Sequence, residues 1–234
     1  MEHMVRSKWL HRKENRKLIL FCNGWGMDAN PFVPLESHEW NVLMFYDYTD
    51  LVSNPSLNSL FEDYREIVLI GWSMGVWAGQ QLFAPYRGKL KLALAVNGTL
   101  CPVNDQYGIP MDVVRATIEN FNEQQRRKFY HRMCREQNSF RLFQKNQPAR
   151  SVDSQKRELE HLLKIVDCKQ QTEPVYNCVL VGDHDYIMPT ANQLDFWPKK
   201  IIRQVNGYHF LFYAYQSWDE IVLEAEESVN GSGS

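Results

Sequence analysis

The chain has 234 residues, 44% of them hydrophobic and 23% charged, with a net charge of −2. That length bounds the fold to one domain, or one domain carrying an insertion, with enough apolar residues for a sizeable core. The near-neutral balance gives no case for nucleic acid as a whole-chain partner, and no apolar run is long enough to cross a membrane. Five cysteines without CxxC spacing argue for reduced thiols in a cytoplasmic protein, not for a disulfide framework or a zinc site.

The first sixteen residues are basic and lack an apolar signal-peptide core. They read as an extension outside the fold, in part added for expression. Short apolar runs then predict strands at 18–22, 41–46, 66–70, 90–96, 175–181 and 201–205. Helical patterns at 76–85 and 213–224 alternate with several of them. Apolar strands alternating with helices mean a mostly parallel sheet covered on both faces. The core is expected over 17–100 and 173–229. Residues 230–234, Asn-Gly-Ser-Gly-Ser, read as a flexible tail.

The interval 101–172 breaks the alternation. It is polar and helical in pattern, too long for a loop, and reads as an inserted helical cap. From Met111 to Gln170 it carries 13 Lys+Arg against 8 Asp+Glu, a surplus of five on a chain whose net charge is −2. Solvated helix faces account for such a surplus; so does a docking surface for an acidic partner.

The strand at 66–70 delivers Gly71-Trp72-Ser73-Met74-Gly75 into an apolar helical run. Strand, Gly-x-Ser-x-Gly turn and helix make the context of a nucleophile elbow, where Ser73 stands clear of the backbone at a helix N-terminus. The Met74 N–H and the helix dipole there suit a developing oxyanion. The alternative is a Gly-rich turn with an incidental serine. A second donor belongs to the loop after the first core strand, Asn23-Gly24-Trp25-Gly26-Met27-Asp28, where the Trp25 N–H is the natural choice.

In this kind of sheet the acid and then the base follow the serine along the chain. The run Gly182-Asp183-His184-Asp185 closes the fifth predicted strand, so Asp185 is the chosen acid and Asp183 its competitor. Of seven histidines, only His209 lies on the loop after the last strand. The chemistry read from Ser73, His209 and Asp185 is acyl transfer through a covalent intermediate, which needs no metal and no organic cofactor.

These residues resemble the α/β-hydrolase superfamily across nearly the whole chain. Phe-Cys-Asn-Gly-Trp-Gly-Met-Asp at 21–28, Gly-Trp-Ser-Met-Gly-Val-Trp-Ala at 71–78 and Gly-Tyr-His-Phe at 207–210 resemble the BioG family of pimeloyl-[acyl-carrier protein] methyl ester esterases. The histidine often opening the oxyanion loop in related hydrolases is Asn23 here. The resemblance implies a late step in biotin synthesis, removal of the methyl group from the distal carboxylate. Ser73, His209 and Asp185 are then nucleophile, base and acid.

The implied partner is an acyl carrier protein, which is acidic and suits the basic cap. Arg115, Arg126, Arg127, Lys128, Arg132, Arg135 and Arg141 are candidate carrier contacts. Trp25, Phe121, Phe129, Phe140 and Phe143 are candidates to line the acyl channel, although packing within the cap explains each cap phenylalanine equally well. A general carboxylesterase, a thioesterase, a C–C bond hydrolase or lyase, and a hydrolase-like binding protein fit the same three residues.

Overall fold

The computed structural model describes residues 5–51, 57–168 and 173–231. Its strands are β1 (Arg6–His11), β2 (Lys17–Cys22), β3 (Asn41–Tyr46), β4 (Glu66–Trp72), β5 (Leu92–Val96), β6 (Cys178–Gly182) and β7 (Ile202–Val205). They form one sheet in the order β1-β3-β2-β4-β5-β6-β7. Every pairing is parallel except β1 with β3. Helix α1 (Leu57–Asp63) precedes β4, and α2 (Met74–Phe83) follows it; α7 (Thr190–Phe196) lies between β6 and β7, and α8 (Trp218–Gly231) ends the described chain. Sheet order, parallel strands and flanking helices make this an α/β-hydrolase fold.

The period of two along each strand divides the core. Leu18, Leu20, Leu69 and Val179 face one side, with Val76 and Phe83 of α2 packed against them. Ile19, Phe21, Ile70 and Leu180 face the other, against Trp218, Ile221 and Ala225 of α8. Strands buried on both faces need near-continuous apolar runs, and these runs are what made them legible.

The N-terminal stretch departs from expectation. Residues 6–11 are not outside the fold: they pair antiparallel with β3 as the edge strand, with an irregularity between Trp9 and His11. The stretch has only two large apolar residues, so its place is decided by backbone pairing with β3 and by Trp9 packing on Tyr64 at 6.4 Å. Residues 1–4 lie outside the described residues.

The last helix also differs. It starts at Trp218 rather than 213, because Ser217 Oγ accepts the Glu220 N–H at 3.2 Å and Glu220 accepts the Gln216 N–H at 2.8 Å. It continues through Gly231, into the stretch read as a tail; 232–234 lie outside the described residues. Between β5 and β6 stand four helices, α3 (Met111–Asn120), α4 (Glu123–Cys134), α5 (Gln137–Lys145) and α6 (Val152–Ile165). Their interior side chains join both core clusters, so the insertion packs on the sheet's carboxyl end rather than standing apart. Residues 169–172, expected to close the insertion, lie outside the described residues.

Candidate active site

β4 ends at Trp72, α2 begins at Met74, and Ser73 alone makes the turn, with φ +56° and ψ −124°. A non-glycine residue there carries roughly 1–3 kcal/mol of strain, which the packing around it must hold. The packing is close. A Cβ on Gly75 would run into the carbonyl oxygens of Cys22 and Asn23, and one on Gly71 into the Tyr176 hydroxyl and Val76 Cα. The two glycines therefore let the turn press against the end of β2, and this brings the 23–28 loop beside Ser73.

Ser73 Oγ lies 2.9 Å from His209 Nε2. His209 Nδ1 lies 2.8 Å from Asp185 Oδ2. The His209 and Asp185 side chains are buried. The aspartate is itself held: Oδ1 accepts the Ile187 and Met188 N–H groups at 2.8 and 3.0 Å, and Oδ2 accepts Gln193 Nε2 at 2.9 Å. Asp183 faces elsewhere. Its carboxylate accepts the Gly207 N–H at 2.9 Å and pairs with His184 at 2.7 Å, and these contacts hold its carboxyl below the usual range.

Trp25 and Met74 line the same cavity as the serine, and their backbone N–H groups have no acceptor among the described residues. Met74 is the first residue of α2, where an N–H has no partner within the helix. The serine, the histidine and both of these residues line one cavity. Its walls are mostly apolar: Met27, Trp72, Ile109, Val113, Val114, Met133, Leu159 and Ile187. A largely apolar cavity with a few convergent polar atoms is the general form of a small-molecule site. An oxygen nucleophile, a base bonded to it and two free N–H donors can together carry acyl transfer.

The expected acyl-channel aromatics divide. Trp25 and Phe129 line the cavity. Phe121 does not; it packs behind Trp25, ring centroids 5.2 Å apart. Phe140 sits against His131 at 4.8 Å, away from the cavity. Phe143 is fully buried between Tyr130 and Phe210. The reason is helical phase: Phe140 and Phe143 lie on α5, whose apolar face meets α4 and the 210–213 segment rather than the serine.

The basic residues divide too. Arg115, Arg127, Lys128, Arg132, Arg135 and Arg141 are exposed. Arg132 lines the cavity, and Arg135 lies over the exposed Tyr186 ring at 5.4 Å. Arg126 is a correction. Its side chain is 14% exposed and engaged by Glu123 and, at 2.9 Å, by the Arg150 carbonyl, so it is tied down within the insertion.

Three sets of polar residues around the site were not picked out from the sequence. Asn97, at the end of β5, donates to the Tyr208 and His209 carbonyls at 2.8 and 2.9 Å and accepts the Gly182 N–H at 2.7 Å. Gln193 steadies Asp185. Glu158 and Gln155 from the insertion reach the 24–27 loop, and Arg150 bonds Glu158. Burial raises the Glu158 carboxyl, and Arg150 beside it partly offsets this. Only the position of Asn97, directly after a buried strand next to the elbow strand, offered a hint.

A family model described as pimeloyl-ACP methyl esterase BioG matches residues 5–221. A malonyl-[acyl-carrier protein] O-methyltransferase of Bacteroides fragilis is 34% identical over 197 residues, 83% of this chain. The chain spans only 40% of the length of that relative. A crystal structure of BioG from Haemophilus influenzae is similar with a TM-score of 0.81 and 32% identity, over 92% of this chain and 98% of that one. An enol-lactonase from Burkholderia xenovorans shares the fold at a TM-score of 0.63 and 14% identity, over 97% of this chain and 96% of that one. With the match running from β1 into α8, the chain belongs to the BioG family, whose name and fold indicate an esterase-type hydrolase.

Proposed function

We propose that this chain is a serine esterase that cleaves the methyl ester of pimeloyl-[acyl-carrier protein] methyl ester, giving the free distal carboxylate and methanol. The observation that carries the reading is the bonded series Ser73–His209–Asp185, opening into an apolar cavity beside two unpaired backbone N–H groups. Ser73 Oγ attacks the ester carbonyl while His209 Nε2 takes its proton. The Trp25 and Met74 N–H groups receive the oxyanion. The tetrahedral adduct collapses, His209 gives the proton to the departing methoxide oxygen, and methanol leaves. His209 then deprotonates water, which attacks the acyl-enzyme, and the serine regains its proton. Asp185 holds the imidazole in the tautomer this needs.

The substrate has a second attackable carbonyl, the thioester to the carrier. Geometry supports selectivity for the distal one. The inserted helices α3 to α6 act as a cap: an acidic carrier docks on their basic outer face, the acyl chain threads inward past Phe129 and Trp25, and the thioester stops short of Ser73. Arg115, Arg127, Lys128, Arg132, Arg135 and Arg141 are the docking residues in this reading. The Bacteroides relative lends support, since the methyl transfer in its name makes the kind of ester bond cleaved here.

The test is mass spectrometry of carrier-bound pimeloyl methyl ester after incubation with wild type and with Ser73→Ala. Loss of about 14 mass units (one CH2) with the thioester intact, by wild type alone, is the expected result. Release of the entire acyl group would make the chain a thioesterase and overturn the threading geometry.

A further inference from the structure

The Trp25 N–H belongs to a loop whose middle is held from another part of the chain. Gly24–Met27 closes on only one loop hydrogen bond of its own, Met27 N–H to the Gly24 carbonyl at 3.4 Å. Asn23 adds two more, its Oδ1 accepting the Gly24 N–H at 2.8 Å and its Nδ2 donating to the Asp28 carbonyl at 3.2 Å, but Gly26 and the Trp25 ring are anchored from α6, about 130 residues away. Glu158 Oε2 accepts the Gly26 N–H at 3.0 Å, Gln155 Nε2 donates to the Gly26 carbonyl at 2.6 Å, and the Gln155 carbonyl accepts the Trp25 indole N–H at 2.7 Å. Both peptide groups flanking Gly26, and the Trp25 ring, are thus fixed by one turn of a helix in the insertion. Gly26 sits at φ +75°, where the Gln155 side chain covers the face a Cβ would take.

We propose that Glu158 and Gln155 are positioning residues that build the oxyanion site from the insertion, by holding the loop so that the Trp25 N–H is aimed at the Ser73 side. The inference rests on the serine-esterase reading and extends it: half of the oxyanion site exists only while α6 is seated on the core.

The way Glu158 is supported favours this role over a stabilising one. It is fully buried and bonds Arg150 Nη1 at 2.6 Å, with its other oxygen on the Tyr48 N–H at 3.0 Å. Arg150 continues to Asp47 at 3.1 Å and to Ser154 Oγ at 2.9 Å. Asp47 itself is strained, at φ +61°. A buried charge network of this kind is commonly no more stable than apolar residues of the same volume. Apolar residues, however, have no acceptor for the Gly26 N–H. Gln155 makes the same point: buried, its Oε1 has no partner among the described residues while its nitrogen serves the loop.

The experiment compares wild type with Arg150→Met/Glu158→Met, Gln155→Met, Glu158→Met and Glu158→Gln. Hydrolysis of p-nitrophenyl butyrate and affinity for an aryl trifluoromethyl ketone are measured, the ketone forming a serine hemiketal whose oxyanion needs the same N–H groups. In the double variant and in Gln155→Met, kcat falls about 10–100-fold with KM within about twofold, and ketone affinity falls by a matching factor. Glu158→Gln, which keeps an acceptor for Gly26, retains more kcat and more ketone affinity than Glu158→Met. Circular dichroism and Tm identify the variants that fold, and Gln155→Met and Glu158→Gln serve if the double variant does not. A folded variant without the Gly26 anchors that keeps wild-type kcat and ketone affinity overturns the proposal. A wild type that neither turns over the ester nor binds the ketone overturns the esterase reading and this inference together, and that failure shows in wild type alone.

Discussion

Trp72 donates its indole N–H to the carbonyl oxygen of His209 at 2.9 Å, so the residue before Ser73 fixes the backbone of the residue that Ser73 bonds. The rings also pack, with centroids 5.4 Å apart. Asn97 binds the same carbonyl from β5. Serine and histidine are 136 positions apart, yet their separation is set by a side chain adjoining one of them.

Trp72→Phe keeps a ring against His209 and removes the N–H. A buried hydrogen bond of this kind is worth about 1 kcal/mol, so Tm falls by about 2–4 °C. In ester hydrolysis, kcat/KM falls about 3–10-fold as the imidazole loses one of its two backbone holds. A Trp72→Phe enzyme with unchanged kcat/KM would show that the indole N–H has no part in placing His209.

Asp185→Asn preserves the acceptor for the Ile187 and Met188 N–H groups, so the fold and Tm stay near wild type. The amide no longer favours the Nδ1–H tautomer of His209. For a serine-histidine-acid series the corresponding loss in kcat is about 10⁴. Steady-state kinetics on a p-nitrophenyl ester reads this, and a loss under tenfold would remove Asp185 from the mechanism.

Asp183 tests the loop that carries His209. Its carboxyl is held below the usual range, first by the Gly207 N–H and then by His184. A carboxyl lowered in the folded state contributes stability above its unfolded pKa and loses it as pH falls through its folded pKa. The Tm difference between wild type and Asp183→Asn is therefore present at pH 7 and closes below about pH 4. Thermal scans at several pH values check this; an equal difference at pH 3 and pH 7 would place the effect outside the ionised carboxylate.

Carrier docking on the insertion is separable from chemistry. Reversing Arg115, Arg127 and Arg141 to Glu lowers the rate on carrier-bound substrate about tenfold or more at low salt, with the gap narrowing as salt rises. Hydrolysis of a small ester is spared. Equal loss on both substrates would mean that these arginines support the insertion's structure and not a partner.

The sheet was legible because strands buried on both faces must be written as apolar runs, and β2 to β6 all were, to within three residues at their ends; β7, Ile-Arg-Gln-Val on the sheet's edge, is half exposed. The elbow was legible because glycines are demanded at 71 by Tyr176 and Val76 and at 75 by the carbonyls of Cys22 and Asn23. Chain order then singled out His209, and left two aspartates where only Asp185 reaches the imidazole. The edge strand β1 was missed because backbone pairing leaves no hydrophobic pattern.

What sequence determined by itself was the set of short-range demands: strand periodicity, the strained serine turn, and glycines where backbones touch. Tertiary structure alone decided the rest. Asn97, Gln155, Glu158 and Arg150 act through contacts with residues that lie near them only in the folded chain, and hydrogen bonds at long sequence separation leave no periodicity to read. The same holds for Phe140 and Phe143, apolar like Phe129 but turned by α5 into packing. Which aromatic side chains border a cavity depends on helix phase against a neighbour, and that is settled only when the helices meet the sheet.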